Sequence, residues 1–270
     1  MPELPEVETV RKQLRNLVLD KKIIEVLPVY EKIVDGDINE FLQIMTNNKI
    51  IDVERYGKYL VFILNDSHVL ISHLRMEGKY HIRDSKYPLS KHEHIIFYFE
   101  DNTSLRYDDT RKFGRMEIRT KDNYLKVNPL AKLGSEPSKM TDNELFLKLK
   151  NKNTTIKQAL LDQTVISGLG NIYVDETLFL SKIDPRRNTK EITLDEANLL
   201  TNSAKLVLDK AIKLGGTTIK SFSATDIHGK FQNHLNVHTK VNEACPVCGS
   251  TIIKIKVGGR GTYVCETCQK

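Results

Sequence analysis

Four cysteines near the carboxyl end of the sequence constrain the fold more strongly than any other feature. They form two Cys-x2-Cys pairs, Cys245 with Cys248 and Cys265 with Cys268, and they are the only cysteines in the chain. Four thiolates satisfy tetrahedral zinc, and each pair with its turn supplies two of them. Two disulfides are the alternative, but a chain without a secretory signal segment favours the metal. We therefore expect one structural zinc ion bound by these four residues.

The segment between the cysteine pairs has the features of a β-hairpin. Residues 252–257 are rich in isoleucine and valine, and Gly258-Gly259-Arg260-Gly261 follows them. β-Branched residues favour strands, and adjacent glycines favour the tight turn that joins two strands. The sequence therefore predicts a zinc-bound hairpin with Arg260 near its tip.

Short segments of strand character fill the first half of the chain. They are rich in β-branched and aromatic residues and are separated by polar breaks, which is typical of strands. We assign strands to residues 22–30, 50–56, 59–64, 68–74, 94–100 and 104–107. One helix is expected at the amino terminus and another near residues 38–45. This order predicts an antiparallel β-sandwich with an amino-terminal helix.

Helix signals replace strand signals beyond a linker marked by Pro129, Gly134 and Pro137. Three capping-box sequences follow this linker. The boxes pair Thr141 with Glu144, Thr155 with Gln158, and Thr193 with Glu196. The last helix is expected to end before Gly215, because glycine is favoured just after a helix. The chain is therefore predicted to be an α+β protein with domains at residues 1–132, 133–224 and 225–270.

The first residues of the chain allow two interpretations. If Met1 is removed, Pro2 offers a free secondary amine, and an α-amino group has a pKa of roughly 7.7 to 8.0. Such an amine can attack an aldehyde carbon to give a cationic iminium, and the neighbouring Glu3 can move protons. The alternative is a capped helix, with Pro5 and several acids at its positive end. The two interpretations are compatible.

Two glycines two residues apart, Gly168 and Gly170, precede another predicted helix. They allow tight turns, and Asn171 is placed to cap the helix and leave amide groups exposed to a phosphate. The alternative is a turn without a ligand.

The overall composition limits the classes of partner. The formal charge is +6 with a pI near 8.9, which favours a polyanionic partner. No apolar run approaches the ~20 residues that cross a membrane. We therefore expect a cytoplasmic monomer without a membrane partner.

The amino-terminal string Pro-Glu-Leu-Pro-Glu-Val-Glu-Thr, the glycine turn with Asp175-Glu176, and the cysteine pairs occur in a definite order. Together they resemble the bacterial formamidopyrimidine-DNA glycosylase family over essentially the whole chain. The resemblance implies a β-sandwich, a helical helix-two-turn-helix domain and a zinc hairpin that together bind damaged double-stranded DNA.

The resemblance also implies catalytic roles for four residues. Pro2 matches the family's nucleophile, which attacks C1′ of the damaged nucleotide, and Glu3 matches its acid and proton shuttle. Lys58 matches the lysine assigned to β-elimination and phosphate contact. Arg260 matches the arginine assigned to δ-elimination and phosphate binding.

Further residues match the family's DNA-binding positions. The DNA contacts implied are His73, His92, Arg111, Lys152 and Asn171. The residues that would fill the gap left by a flipped nucleotide are Met76, Arg111 and Phe113. The residues assigned to a lesion-recognition loop are Glu6, Thr217, Thr218 and Lys220.

Two positions depart from the family pattern. Many relatives have Val-Tyr-Gly where this chain has Val237-His238-Thr239, so the role of the tyrosine is an open question for His238. Gln158 stands where relatives often have proline, which concerns the start of a helix.

The resemblance predicts a bifunctional repair enzyme that excises oxidised purines, such as 8-oxoguanine and formamidopyrimidines, and cleaves the abasic site by β,δ-elimination. The endonuclease VIII type, which prefers oxidised pyrimidines, is the alternative. Those relatives have glycine where this chain has Leu4, and they lack the Arg-x-Phe-Gly string of residues 111–114. A DNA-binding module without catalysis is a further alternative, which the presence of Pro2, Glu3, Lys58 and Arg260 disfavours.

Overall fold

Two four-stranded antiparallel sheets form the amino-terminal part of the computed structural model, which describes residues 1–217 and 229–270. The first sheet has the order β1 (Ile23–Pro28), β6 (Glu93–Phe99), β7 (Thr103–Asp108) and β5 (Lys79–Asp84). The second has the order β2 (Ile50–Tyr56), β3 (Tyr59–Leu64), β4 (His68–His73) and β8 (Arg115–Thr120). The predicted sandwich is confirmed. Sequence analysis missed β5 and β8.

Strand alternation determines which side chains form the sandwich core. Leu60 and Phe62 of β3 and Phe97 and Phe99 of β6 are all buried in one apolar cluster. Neighbouring residues on the same strand point to the opposite face, because the side-chain period of a strand is two. The core therefore lies between the two sheets.

Two helices complete this unit, α1 (Leu4–Val18) and α2 (Ile38–Met45). α1 contributes Val7, Val10 and Leu14 to the core, at the spacing of one helical face. α2 is capped by the Asp37 side chain, which accepts the backbone N–H groups of residues 39 and 40. Both helices were predicted from the sequence.

Helices dominate the rest of the described chain. They are α3 (Glu144–Lys150), α4 (Ile156–Leu161), α5 (Asn171–Leu180) and α6 (Leu194–Lys213). α6 has the predicted capping box of Thr193 and Glu196, and Gly215 follows it with φ +75°. The Thr141 box is half formed: Glu144 Oε2 accepts the backbone N–H of Thr141 at 3.3 Å, but the N-cap is Asn143, which has a left-handed φ of +67°.

A two-stranded hairpin, β9 (Ile253–Val257) and β10 (Arg260–Val264), lies near the carboxyl end. Gly258 and Gly259 form its turn with φ of +54° and +78°, which glycine adopts without steric cost. Arg260 pairs with Val257 directly beside this turn, as predicted.

Two separate units account for the described residues. The first unit contains Met1–Ala131, and the second unit contains Lys132–Thr217 and Gly229–Lys270. Among the residues that the structure describes, no helix is both long and apolar enough to cross a bilayer.

Candidate functional site

The amino terminus of α1 places Pro2 and Glu3 in a buried position of the first unit. The Glu6 carboxylate accepts the backbone N–H of Glu3 at 2.9 Å, as part of a capping box. Glu6, which the resemblance assigns to a lesion-recognition loop, instead lies in the first turn of α1 and caps that helix. The predicted capped helix and the predicted nucleophile occupy the same short segment.

Arg55 connects α1 to the turn that carries Lys58. Its Nε donates to Glu8 Oε2 at 2.9 Å, and its Nη1 donates to the carbonyl of Gly57 at 2.9 Å. Glu8 also binds Arg11 at 2.7 Å. Lys58 follows directly after Gly57 and is only 5% exposed. One guanidinium therefore holds the helix of Pro2 and Glu3 and the Lys58 turn together, a role that sequence analysis missed.

His73 is held as a neutral imidazole. Its Nδ1 accepts the backbone N–H of Arg75 at 2.9 Å, and its ring contacts that of Tyr59 at 4.5 Å between centroids. Burial, with the positive charges of Arg75 and Lys58, lowers the pKa of His73 to about 3. Because Nδ1 is an acceptor, the proton of the neutral ring lies on Nε2. His73 can therefore offer an uncharged N–H donor.

A cavity of about 240 Å³ opens beside His73 on the outer face of the second sheet. Its lining includes Tyr59, Arg75, Arg115 and Arg119, together with the acids Asp35 and Glu117. Arg115 and Asp35 form an ion pair at 3.4 Å, so part of the positive charge is already neutralised.

The predicted gap-filling residues lie on two loops of the first unit. Met76 is in the turn between β4 and β5, and Arg111 and Phe113 follow β7. Met76 is 40% and Phe113 48% exposed, so both apolar side chains are accessible to a ligand. The Arg111 guanidinium lies 4.6 Å from the centroid of the Phe113 ring. His92, directly before β6, is half-buried.

The remaining predicted DNA contacts lie in the second unit. Lys152 is half-exposed and forms an ion pair with Asp162 at 2.9 Å. Arg260 is exposed and makes no ion pair with any residue in the described ranges. Thr217 lies after α6, whereas the assigned Thr218 and Lys220 lie outside the described residues.

Asn171 does not cap α5 as expected. Gly170 is the N-cap residue, and Asn171 is the first residue of the helix. The Asn171 side chain instead donates from Nδ2 to the carbonyl of Gly261 at 3.0 Å. It therefore contacts the strand that begins with Arg260.

A buried ion pair fixes the hairpin on α5. Lys157 Nζ lies 2.6 Å from Asp175 Oδ1 with both side chains fully buried, and it also donates to the Gly261 carbonyl at 3.1 Å. Asp175 Oδ2 lies 2.8 Å from His238 Nδ1. His238, whose role the sequence left open, is therefore a direct partner of the buried acid. Thr239 beside it adopts φ +68°, a region that strains a β-branched residue.

Glu176 organises the chain around residues 236–238. Its carboxylate accepts the backbone N–H groups of Asn236, Val237 and His238 at 2.8 to 2.9 Å, and the Asn236 side chain at 2.8 Å. Glu176 is fully buried, so these four donors replace its hydration. The sequence signal was two consecutive acids inside an otherwise apolar helix.

The four cysteines converge as a metal site. Their Sγ atoms all lie within 4.8 Å of one another. Cys245 Sγ is 3.8 Å from Cys268 Sγ, and Cys248 Sγ is 3.5 Å from Cys265 Sγ. Zn–S bonds of about 2.3 Å place tetrahedral sulfur atoms about 3.8 Å apart, whereas a disulfide requires about 2.05 Å. The geometry fits one structural zinc ion with no open coordination position.

Three family models together match most of the chain. The formamidopyrimidine-DNA glycosylase N-terminal domain matches residues 1–116, and the H2TH domain of the same enzymes matches residues 133–223. The zinc finger found in FPG and IleRS matches residues 242–270. The chain belongs to the formamidopyrimidine-DNA glycosylase family.

Relatives in this family are similar over their full length. The formamidopyrimidine-DNA glycosylase of Mycoplasma mobile is 45% identical, with 100% of this chain and 99% of that protein aligned. Two solved structures of the Lactococcus lactis enzyme are 42% identical and cover 100% of both chains. One is a mutant bound to Fapy-dG DNA, with a TM-score of 0.94, and the other is bound to abasic-site DNA, with a TM-score of 0.93.

Glu8→Gln should destabilise the first unit at neutral pH but not in acid. Burial raises the pKa of Glu8, yet the hydrogen bonds and charges of Arg11 and Arg55 outweigh burial and hold it below 4.5. The stabilisation is therefore complete above about pH 4.5 and is lost as the pH falls through the folded-state pKa. Urea unfolding at neutral pH should show a loss of about 1.5–3 kcal/mol. Glu25→Gln, at an exposed position of β1, is the control. An equal loss at both pH values would contradict the assignment.

Removing zinc should unfold the hairpin that carries Arg260. Cys245 and Cys265 pack with Phe179, Val237 and Ile252 in one small cluster, which has little apolar area of its own. Structural zinc supplies much of the folding free energy of such small clusters. Treatment with a chelator should therefore accelerate amide hydrogen exchange throughout β9 and β10, while β2, β3 and β4 stay protected. Continued protection of β10 after verified zinc loss would show that the metal is not structural.

Proposed function

We propose that this protein excises oxidised purines, such as 8-oxoguanine and formamidopyrimidines, from duplex DNA and then cleaves the abasic site. The observation that carries the proposal is the buried Pro2-Glu3 terminus, which Arg55 joins to the Lys58 turn. The terminal segment of Pro2 and Glu3 and the turn of Lys58 are thus joined through one guanidinium, which supports a joint role for their amine, carboxyl and ammonium groups. The relatives' complexes with Fapy-dG and abasic DNA support the same substrates.

The proposed chemistry begins with removal of Met1, which frees the Pro2 amine. The amine attacks C1′ of the damaged nucleotide and the bond from C1′ to the base breaks. The C1′–O4′ bond of the sugar then breaks and the ring opens, and Glu3 moves the protons that the departing base and O4′ require. The product is an iminium that links Pro2 to the sugar. Elimination then breaks the C3′–O bond in the β step and the C5′–O bond in the δ step. Lys58 assists the first step, and Arg260 holds phosphate and assists the second.

DNA binding is assigned to both units. His73, His92 and Arg111 contact DNA from the first, and Lys152 and Asn171 from the second. The neutral His73 donates a hydrogen bond, whereas the cations contact phosphates electrostatically. We infer functional domains at residues 1–132, 133–224 and 225–270 of one monomer.

Base extrusion is assigned to Met76, Arg111 and Phe113. A base inside a duplex must be flipped out before C1′ can be attacked. A flexible thioether and a flat ring can enter the stack, and a guanidinium can bind the partner base. The exposure of Met76 and Phe113 supports this assignment. Glu6, Thr217, Thr218 and Lys220 are assigned to recognition of the lesion.

Pro2 should become covalently attached to DNA during turnover. Borohydride reduces an iminium to a stable amine, so its addition to the reacting enzyme and 8-oxoguanine duplex should trap an adduct. Mass spectrometry should first show that Met1 is absent and then place the adduct on residue 2. Pro5→Ala, which leaves the terminal amine intact, is a control for changes in the helix. An adduct on a lysine instead of Pro2 would refute the proposed nucleophile.

Met76→Ala should slow removal of 8-oxoguanine much more than cleavage of an abasic duplex. Flipping a base costs a few kcal/mol, and filling the gap returns part of it, whereas an abasic site has no base to extrude. Arg111→Ala should behave similarly and also weaken discrimination by the opposite base. Single-turnover rates on both substrates measure the effect, with the exposed Leu147→Ala as a control. Equal losses on both substrates would instead indicate a general role in binding or folding.

A further inference from the structure

Asp109 holds the loop that carries Arg111 and Phe113. Its side chain is fully buried, and its Oδ1 accepts the backbone N–H of Arg111 at 2.9 Å. Its Oδ2 accepts the N–H groups of Phe113 and Gly114, each at 2.8 Å. Three backbone N–H groups of one loop thus donate to a single carboxylate. A loop with this arrangement has few other conformations that satisfy both the charge and the backbone.

Hydrogen bonds to His92 and His94 fix the backbone of Asp109. Its N–H donates to the carbonyl of His92 at 2.9 Å, and its carbonyl lies 2.8 Å from His94 Nε2. The same carbonyl accepts the N–H of Lys112 at 3.1 Å. His92, a proposed DNA contact, is therefore tied to the loop of Arg111 and Phe113.

Tyr107 connects this loop to the turn of Met76. Its hydroxyl donates to Asp109 Oδ2 at 3.4 Å and lies between two glycines. A Cβ on Gly78 would lie 2.3 Å from the hydroxyl oxygen, and a Cβ on Gly114 would lie 1.6 Å from it. Neither glycine has a left-handed φ, so both are needed for space. Gly78 closes the Met76 turn by donating its N–H to Leu74 O at 2.9 Å.

The Tyr107 hydroxyl keeps its proton. Burial, together with the negative charge of Asp109, raises the pKa of Tyr107 well above its ordinary value of 10. The hydroxyl is therefore protonated near neutral pH and can donate a hydrogen bond to Asp109.

We propose that Tyr107 and Asp109 are positioning residues that hold the two loops of Met76, Arg111 and Phe113 in one geometry for base extrusion. The proposal rests on the function assigned above to those three side chains. The loops are far apart in sequence but must enter a single gap in the stack. Loops that are ordered before binding need not lose conformational freedom on binding, so preorganisation speeds extrusion.

Three substitutions test the positioning role through two substrates. Asp109→Asn and Tyr107→Phe remove the charge or the hydroxyl with little change in volume. Tyr80→Phe is the matched control, because Tyr80 is equally buried and contacts the Tyr107 ring, but its hydroxyl donates to Ser72. We expect Asp109→Asn to slow 8-oxoguanine removal by on the order of 10²-fold, the effect of a small misplacement. Tyr107→Phe should slow 8-oxoguanine removal less than Asp109→Asn does. The rate of abasic-duplex cleavage should change little in all three variants. Equal losses on both substrates would overturn the proposal.

Amide hydrogen exchange of the DNA-free protein tests whether Tyr107 and Asp109 hold the two loops, without relying on enzyme activity. Asp109→Asn should accelerate exchange at the amides of Arg111, Phe113 and Gly114. Tyr107→Phe should accelerate it at both Gly78 and Gly114, and Tyr80→Phe at neither. Unchanged exchange at Gly78 in Tyr107→Phe would show that the two loops are independent. A wild-type protein that excises no oxidised base would refute the proposed function. The exchange pattern would still decide whether Tyr107 and Asp109 hold the two loops.

Discussion

Buried carboxylates hold the irregular backbone on which both units depend. Asp109 accepts three N–H groups from residues 111–114, and Glu176 accepts three from residues 236–238. Neither segment belongs to a helix or a sheet that could satisfy these donors. A buried donor without a partner costs about 1–3 kcal/mol, so each carboxylate selects one loop conformation among many. The helices and strands form the framework, and Asp109 and Glu176 fix the backbone of residues 111–114 and 236–238 outside that framework.

Much of the fold was predictable because its strands are strongly apolar. The predicted strands at residues 50–56 and 59–64 have the bounds found in the structure. β5 and β8 were missed because each contributes only two apolar residues among charged ones, a pattern also common in loops. The helix starts expected at Thr141 and Asn171 were displaced, because Asn143 and Gly170 are the N-cap residues of α3 and α5. Local patterns therefore predicted elements better than their ends.

The candidate site was predictable only where a compact motif carries it. The two Cys-x2-Cys pairs predict a tetrahedral zinc site directly, because the type and spacing of the ligands are both visible in the sequence. The roles of Tyr107 and Asp109 have no such local signal, since Gly78 and Gly114 meet the same hydroxyl only after the sheets have formed. Arg55 likewise looks like an ordinary charged strand residue until its partners on α1 and at Gly57 are known. Residues that act by positioning others are thus the least visible in a sequence.

The burial of His73 also has a consequence for binding at different ionic strengths. A lysine or arginine that binds a phosphate releases condensed counterions, so its contribution falls as salt concentration rises. His73 is uncharged near neutral pH and can only donate a hydrogen bond. In the proposed complex, contacts through Lys152 and Arg260 weaken in concentrated salt, whereas the contact through His73 persists. One buried imidazole thus gives the interface a component that counterions do not compete with.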